Sequence, residues 1–151
     1  MAEDIQKMIV VPIDDSENVY RTLDFVNLCF GPNHPLKIIL LYVLPRLPAG
    51  LIEESRQSGE TLKQLKNLEG RNTEIAERLL AAGLKAEQIT TKVADGSRSA
   101  AVDILEEAGG MDAGTIFLGL HGYSSVKEYT MGSVTRKVLN QAEDMAVCLV
   151  P

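Results

Sequence analysis

Residues 115–138 of this chain of 151 residues read TIFLGLHGYSSVKEYTMGSVTRKV. The first four of them are β-branched or apolar and predict a short buried strand. A loop with several glycines follows, and Gly132-Ser133 then opens a segment with the apolar spacing of a helix. This order is typical of an anion site, because the first amides of a helix have no intrahelical acceptor and lie at the positive end of the helix dipole.

The loop supplies the residue types that such a site needs. Gly119 and Gly122 give the backbone freedom at the strand exit, and Gly132 gives it at the helix entry. Ser133 and Thr135 add hydroxyl donors near the same point. A second interpretation stays open, in which this is a surface loop and Ser133 is only the helix N-cap. The Gly-Lys-Ser/Thr sequence of a Walker-type loop does not occur.

The rest of the chain alternates apolar runs with segments of helical spacing. We predict strands at residues 8–13, 36–43, 88–93, 115–118 and 146–150, with helices over about 19–30, 52–82, 98–108 and 133–141. Gly83 and the pair Gly109-Gly110 are expected to end the second and third helices. Residues 44–50, with two prolines, are expected to cross the mouth of the sheet. The alternation predicts an α/β fold with an open five-stranded parallel sheet, order 3-2-1-4-5, and helices on both faces.

The sheet order places two unusual strand exits together. In open parallel sheets ligands bind beyond the carboxyl ends of the strands, where the strand order reverses. In the order 3-2-1-4-5 that crevice lies between strands one and four. Those strands end in residues 12–14 (PID) and 119–122 (GLHG). We therefore expect both segments to contribute to one site.

Several side chains near this crevice have two open interpretations. Asp14 is placed to accept from a base amine or a ribose hydroxyl, or else it caps helix one. Val43, at the end of strand two, either packs on a purine face or belongs to the core. His121 could contact a phosphate when protonated and Lys127 could reach a terminal phosphate, but both also suit solvent-exposed positions.

Composition limits the class of protein. The 45% hydrophobic and 24% charged residues are ordinary for one globular domain over residues 1–151, and the net charge of −6 argues against nucleic-acid or anionic membrane partners. The acidic N-terminus does not resemble a signal peptide, and the most apolar run, residues 38–44, is too short to span a membrane. Cys29 and Cys148 are too few for a disulfide framework or a zinc site. We expect buried thiols, no metal site and a cytoplasmic location.

The sequence resembles the universal stress protein family over residues 8–150. The resemblance is carried by the G-x2-G-x9-G-S spacing that ends in Val134-Thr135, by Pro12-x-Asp14 with Ser16-Glu17 after strand one, and by Asp112 before strand four. It implies a Rossmann-like fold of the adenine nucleotide α-hydrolase type, and a regulatory protein of the stress response.

In members of the family that bind ATP, the resemblance implies that Pro12, Asp14 and Val43 contact the adenosine. The residues implied to surround the ribose and phosphates are Gly119, His121, Gly122, Gly132, Ser133, Val134 and Thr135. The implied ligand is ATP or AMP, with Mg²⁺ carried by the triphosphate. The resemblance also implies a homodimer through residues Ala146–Val150. We expect a further protein partner that the sequence does not identify.

Four functions are compatible with this pattern. The first is an adenine-nucleotide-binding regulatory protein. The second is an ATP hydrolase or phosphotransfer protein, whose turnover should be slow because the sequence shows no general base or arginine finger. The third is a phosphoacceptor receiver domain, with Asp14-Asp15 as its acidic pair and Asp95 as its acceptor, although no Lys follows strand five. The fourth is a nucleotide-free dimeric scaffold. No residue is assigned a catalytic role.

Overall fold

The computed structural model describes residues 7–14, 16, 18–31, 35–44, 59–96, 98–120 and 131–151. Its elements in chain order are β1 Lys7–Ile13, α1 Asn18–Phe30, β2 Leu36–Val43, α2 Glu60–Ala81, a 3-10 turn Ala86–Gln88, β3 Ile89–Ala94, α3 Ala100–Gly110, β4 Thr115–Gly119, α4 Ser133–Gln141 and β5 Ala146–Val150. All strand pairs are parallel, and the order is β3-β2-β1-β4-β5. The predicted fold class is confirmed.

The core lies on both faces of the sheet. Successive β1 residues point to opposite faces, so Ile9 and Val11 pack with α1 and α2 while Val10 packs with α3 and α4. Each face of the sheet also receives a buried helix residue, Leu23 of α1 on one face and Ile104 of α3 on the other. A continuous apolar run is what a strand covered on both sides requires.

The pairing of β1 differs between its two neighbours. β1 pairs with β2 along its whole length, but it pairs with β4 only at Ile9–Thr115 and Val10–Ile116. Beyond these two positions the ladder between β1 and β4 ends. The carboxyl ends of β1 and β4 are therefore not joined by strand pairing, and the strand order reverses between these two strands.

Two helix ends differ in how well the sequence predicted them. Gly83, with φ +101°, follows the α2 C-cap as predicted, and its amide donates to the Leu80 carbonyl at 3.0 Å. By contrast, α3 continues through Gly110, two residues beyond the predicted end. The chain turns instead at Asp112, whose φ of +52° is a left-handed conformation that aspartate tolerates better than most residues.

The predicted helix over residues 52–82 is described only from Glu60 onward. Gly59, with φ +67°, is its N-cap, and the helix continues through Gly70 without a break. Residues 52–58 of that prediction, and residues 45–50 of the segment expected at the mouth of the sheet, lie outside the described residues. In the part of the chain that is described, no helix is both long enough and apolar enough to cross a bilayer.

The prediction that both cysteines are buried is wrong for Cys29. This residue is exposed near the end of α1, where its neighbour in the sequence, Leu28, is 80% exposed. Cys148 on β5 is half-buried, and burial, with a smaller contribution from Cys29, raises the pKa of its thiol. Helical spacing predicted the buried stripe of α1 but gave no sign that Cys29 lies outside it.

Gly70→Ala is expected to stabilise the protein by about 1 kcal/mol, because glycine inside a helix loses more backbone entropy on folding than alanine. A Cβ added at Gly70 meets no atom within 4 Å, so no contact offsets this gain. Thermal unfolding should show a midpoint about 2–4 °C above wild type. A lower midpoint would mean that Gly70 has a packing role that the structure does not show.

Candidate functional site

A cavity of about 330 Å³ lies at the carboxyl ends of β1 and β4. Its wall includes eight of the ten predicted site residues: Pro12, Asp14, Val43, Gly119, Gly132, Ser133, Val134 and Thr135. His121 and Gly122, together with Lys127, lie outside the described residues. Leu41, Ile104 and Leu118 make much of the remaining wall apolar. The two strand exits that the sequence placed together thus border one cavity.

The N-terminus of α4 opens into this cavity without a side-chain cap. The N-cap residue is Gly132, so the interpretation of Ser133 as the N-cap is wrong; Ser133 is the first helical residue. The first helical bond runs from the Arg136 amide to the Gly132 carbonyl, at 3.0 Å. Gly132 has no side chain to accept from them, and no described residue accepts from the amides of residues 133–135, so these amides can donate to a ligand.

Backbone bonds hold this helix end against the sheet. The Leu120 amide donates to the Val150 carbonyl at 2.8 Å, and the Gly132 amide donates to the Leu120 carbonyl at 3.0 Å. Residues 120 and 132, which flank the loop, are therefore joined directly. The buried Thr135 donates its hydroxyl to the Gly119 carbonyl at 3.0 Å. The hydroxyl proton that the sequence suggested for a ligand is thus used within the protein.

Asp14 forms a turn immediately after β1. Its Oδ1 accepts from the Ser16 amide at 2.9 Å and also from the Ser16 hydroxyl. Since α1 begins only at Asn18, Asp14 is not its N-cap. Both of these bonds use Oδ1, and Asp14 lines the cavity, so its other carboxylate oxygen, Oδ2, can accept from a ligand there.

The electrostatics of the cavity are unusual for an anion site. Asp14 is the one charged side chain among the described residues that line it. An anion would therefore be bound by the neutral amides at the start of α4, where the helix dipole favours negative charge. The described side chains form no group of three or more His, Cys, Asp or Glu that could hold a metal ion.

Sequence reasoning missed the contribution of α1 to this wall. Thr22 is buried, lines the cavity and donates its hydroxyl to the Asn18 carbonyl at 3.1 Å. The sequence signal for this contribution was a threonine inside the apolar stripe of α1.

The strand order excludes the receiver-domain hypothesis, because β2 lies between β1 and β3 and separates Asp95 from Asp14.

Comparison of the structure with solved structures finds the same fold in proteins of low sequence identity. The hypothetical protein MJ0577 matches with a TM-score of 0.79 at 23% identity, covering 96% of this chain and 95% of that one. A universal stress protein in complex with cAMP matches with a TM-score of 0.60 at 23% identity, covering 96% of each chain. The universal stress protein from Archaeoglobus fulgidus in complex with dAMP matches with a TM-score of 0.63 at 19% identity, covering 96% and 98%.

Sequence comparisons complete the assignment. No curated protein matches the chain significantly. The sequence model described as the Universal stress protein family matches residues 6–148, which is nearly the whole chain. This match agrees with the parallel sheet of order 3-2-1-4-5 and with the glycine spacing between β4 and α4. The chain belongs to the universal stress protein family.

Proposed function

We propose that this chain is a regulatory protein that binds an adenine nucleotide, ATP or AMP, in the cavity between β1 and β4. The observation that carries the proposal is the pairing of two features on one cavity wall. One is the open carboxylate oxygen of Asp14, and the other is the uncapped N-terminus of α4 that begins at Gly132. A nucleotide presents hydroxyl and amine donors at one end and an anion at the other.

The nucleotide is expected to lie along the cavity. The adenosine contacts Pro12 and Val43, while Asp14 accepts from its base amine or a ribose hydroxyl. The residues proposed to surround the ribose and phosphates are Gly119, His121, Gly122, Gly132, Ser133, Val134 and Thr135. A volume of about 330 Å³ is near the lower end of small-molecule sites, which suits a single nucleotide.

The relatives support this ligand class. Two structural neighbours with the same fold are described in complex with cAMP and with dAMP, and both ligands combine an adenine nucleoside with one phosphate. With a triphosphate, Mg²⁺ would be carried by the phosphates themselves. We further propose that the protein acts in the cytoplasm as a homodimer through Ala146–Val150 and signals through a protein partner.

Calorimetric titration with ATP and Mg²⁺, and with AMP, tests the proposal. Binding should release or absorb measurable heat, and ligand at about 100 times Kd should add about 2.7 kcal/mol of stability. For a domain of this size that corresponds to a rise of about 5–10 °C in Tm. Tripolyphosphate with Mg²⁺ is the matched ligand without adenosine, and it should bind much more weakly. No heat and no shift at millimolar ATP would refute nucleotide binding and favour the scaffold.

A further inference from the structure

Arg71 of α2 reaches the turn that carries Asp14. Its guanidinium donates from Nη2 to the Ser16 carbonyl at 2.6 Å, and its Cζ lies 5.5 Å from the centre of the Tyr20 ring. Ser16 lines the cavity and Arg71 does not, so Arg71 contacts a residue of the cavity wall without lining the cavity itself. The bond connects residues 55 positions apart in the sequence.

The contacts of Arg71 are not those of a surface ion pair. It pairs with no carboxylate among the described side chains, and its buried Nε has no hydrogen-bond partner. A buried donor without a partner costs stability, so such a group requires an explanation. The bond to the Ser16 carbonyl and the cation–π contact with the Tyr20 ring together fix the position of the guanidinium.

Arg78 provides an internal comparison on the same helix. Its Cζ lies 5.1 Å from the centre of the same Tyr20 ring, but its guanidinium binds both carboxylate oxygens of Asp24, at 2.7 and 2.9 Å. Arg78 is exposed and does not line the cavity. Two arginines of α2 thus flank one tyrosine, and Arg71 is the one whose guanidinium bonds to Ser16.

We propose that Arg71 is a positioning residue of the nucleotide site, an inference that rests on the proposed function. Arg71 holds the Ser16 carbonyl, and the amide and hydroxyl of Ser16 hold Oδ1 of Asp14. This series of bonds orients the carboxylate and leaves Oδ2 facing the ligand. Arg71 therefore acts on affinity through Asp14, without contacting the nucleotide.

The first test measures Kd for AMP by calorimetry in Arg71→Gln and Arg78→Gln proteins. Arg71→Gln should raise Kd about fivefold, the effect of one hydrogen bond of ordinary strength, whereas Arg78→Gln should stay within about twofold of wild type. A double-mutant cycle with Asp14→Ala then asks how Arg71 acts. In the Asp14→Ala background, Arg71→Gln should cause no further loss.

Two additional measurements separate positioning from charge and from general structure. Arg71→Lys keeps the charge but carries its donor one bond closer to the backbone than Nη2, which makes the bond to Ser16. It should therefore lose affinity as Arg71→Gln does, equally at low and high salt. Without ligand, amide hydrogen exchange at Ser16 should be faster in Arg71→Gln and unchanged in Arg78→Gln. If Arg71→Gln does not fold, Arg71→Lys provides both readouts.

Specific results would overturn the proposal. Wild-type affinity in Arg71→Gln or Arg71→Lys, an equal loss in the Asp14→Ala background, or unchanged exchange at Ser16 would each refute the positioning role while leaving nucleotide binding intact. If the wild-type protein does not bind AMP or ATP, the proposed function fails and the role of Arg71 fails with it.

Discussion

Gly132→Val should raise Kd for ATP by roughly a hundredfold, which corresponds to losing two hydrogen bonds to charged phosphate oxygens at about 1.5 kcal/mol each. Gly132 lines the cavity and immediately precedes the open amides of α4, so a branched side chain there takes up space that the phosphates need. Calorimetry with ATP and Mg²⁺ measures the effect.

The same substitution should leave the fold intact. The φ of −56° and ψ of 147° at Gly132 lie in a region open to valine, and the bonds to Leu120 and Arg136 use only the Gly132 backbone. The change in Tm should therefore be small. Gly114→Val is the matched control, because Gly114 precedes β4 at the opposite end of the strand and an added Cβ there meets no atom within 4 Å.

The outcomes of this experiment separate the competing functions. Wild-type ATP affinity in Gly132→Val would show that the phosphates do not bind at the start of α4. If the wild-type preparation hydrolyses ATP slowly and Gly132→Val hydrolyses it at the same rate, the activity comes from a contaminating enzyme. A rate that falls together with affinity would favour the slow-hydrolase hypothesis.

The sequence predicted the strands and the location of the cavity because both follow from local signals. Apolar runs at residues 8–13 and 36–43 predict strands buried on both faces, and glycines mark the exit of β4. Asp14 was placed correctly next to the crevice. Its pairing with Ser16 could not be predicted, because an N-cap and a turn of this kind use the same residue types.

The contribution of Arg71 could not be predicted for a different reason, whereas Thr22 had a signal in the sequence, a polar residue inside an apolar stripe. Periodicity indicates which face of a helix is buried, but it does not indicate which distant segment that face meets. In the sequence Arg71 is only a polar residue of a long helix. Its bond to Ser16 forms only when α2 packs beside α1. The fold was therefore more predictable than the side chains that support the site.

The open edge at β5 has a defined hydrogen-bonding pattern. The Ala146 amide donates to the Gly114 carbonyl at 3.0 Å and the Val150 carbonyl accepts from Leu120, so both residues direct their backbone toward β4. Because backbone direction alternates along a strand, Val147 and Leu149 direct their amides and carbonyls away from the sheet. β5 ends the strand order, and no strand among the described residues pairs with its outer edge, so we propose that these groups pair with a second copy of the chain.

Val147→Pro should convert the proposed homodimer to a monomer. Proline removes an outward amide of β5 and leaves the bonds of Ala146 and Val150 toward β4 in place. In a two-fold symmetric dimer the loss occurs twice. Val147→Ala is the matched control, because it removes most of the half-buried side chain but keeps the amide, and it should remain dimeric. Light scattering coupled to size-exclusion chromatography measures the masses.

The monomer produced in this way should still bind ATP. β5 meets the proposed nucleotide site through its pairing with β4, as at Gly119–Val150, and through the bond from the Leu120 amide to the Val150 carbonyl. Both lie on the side of β5 away from its outer edge. A dimeric Val147→Pro protein would place the interface on another surface. A monomeric protein that no longer binds ATP would mean that the second copy contributes to the site, because Val147 itself does not line the cavity.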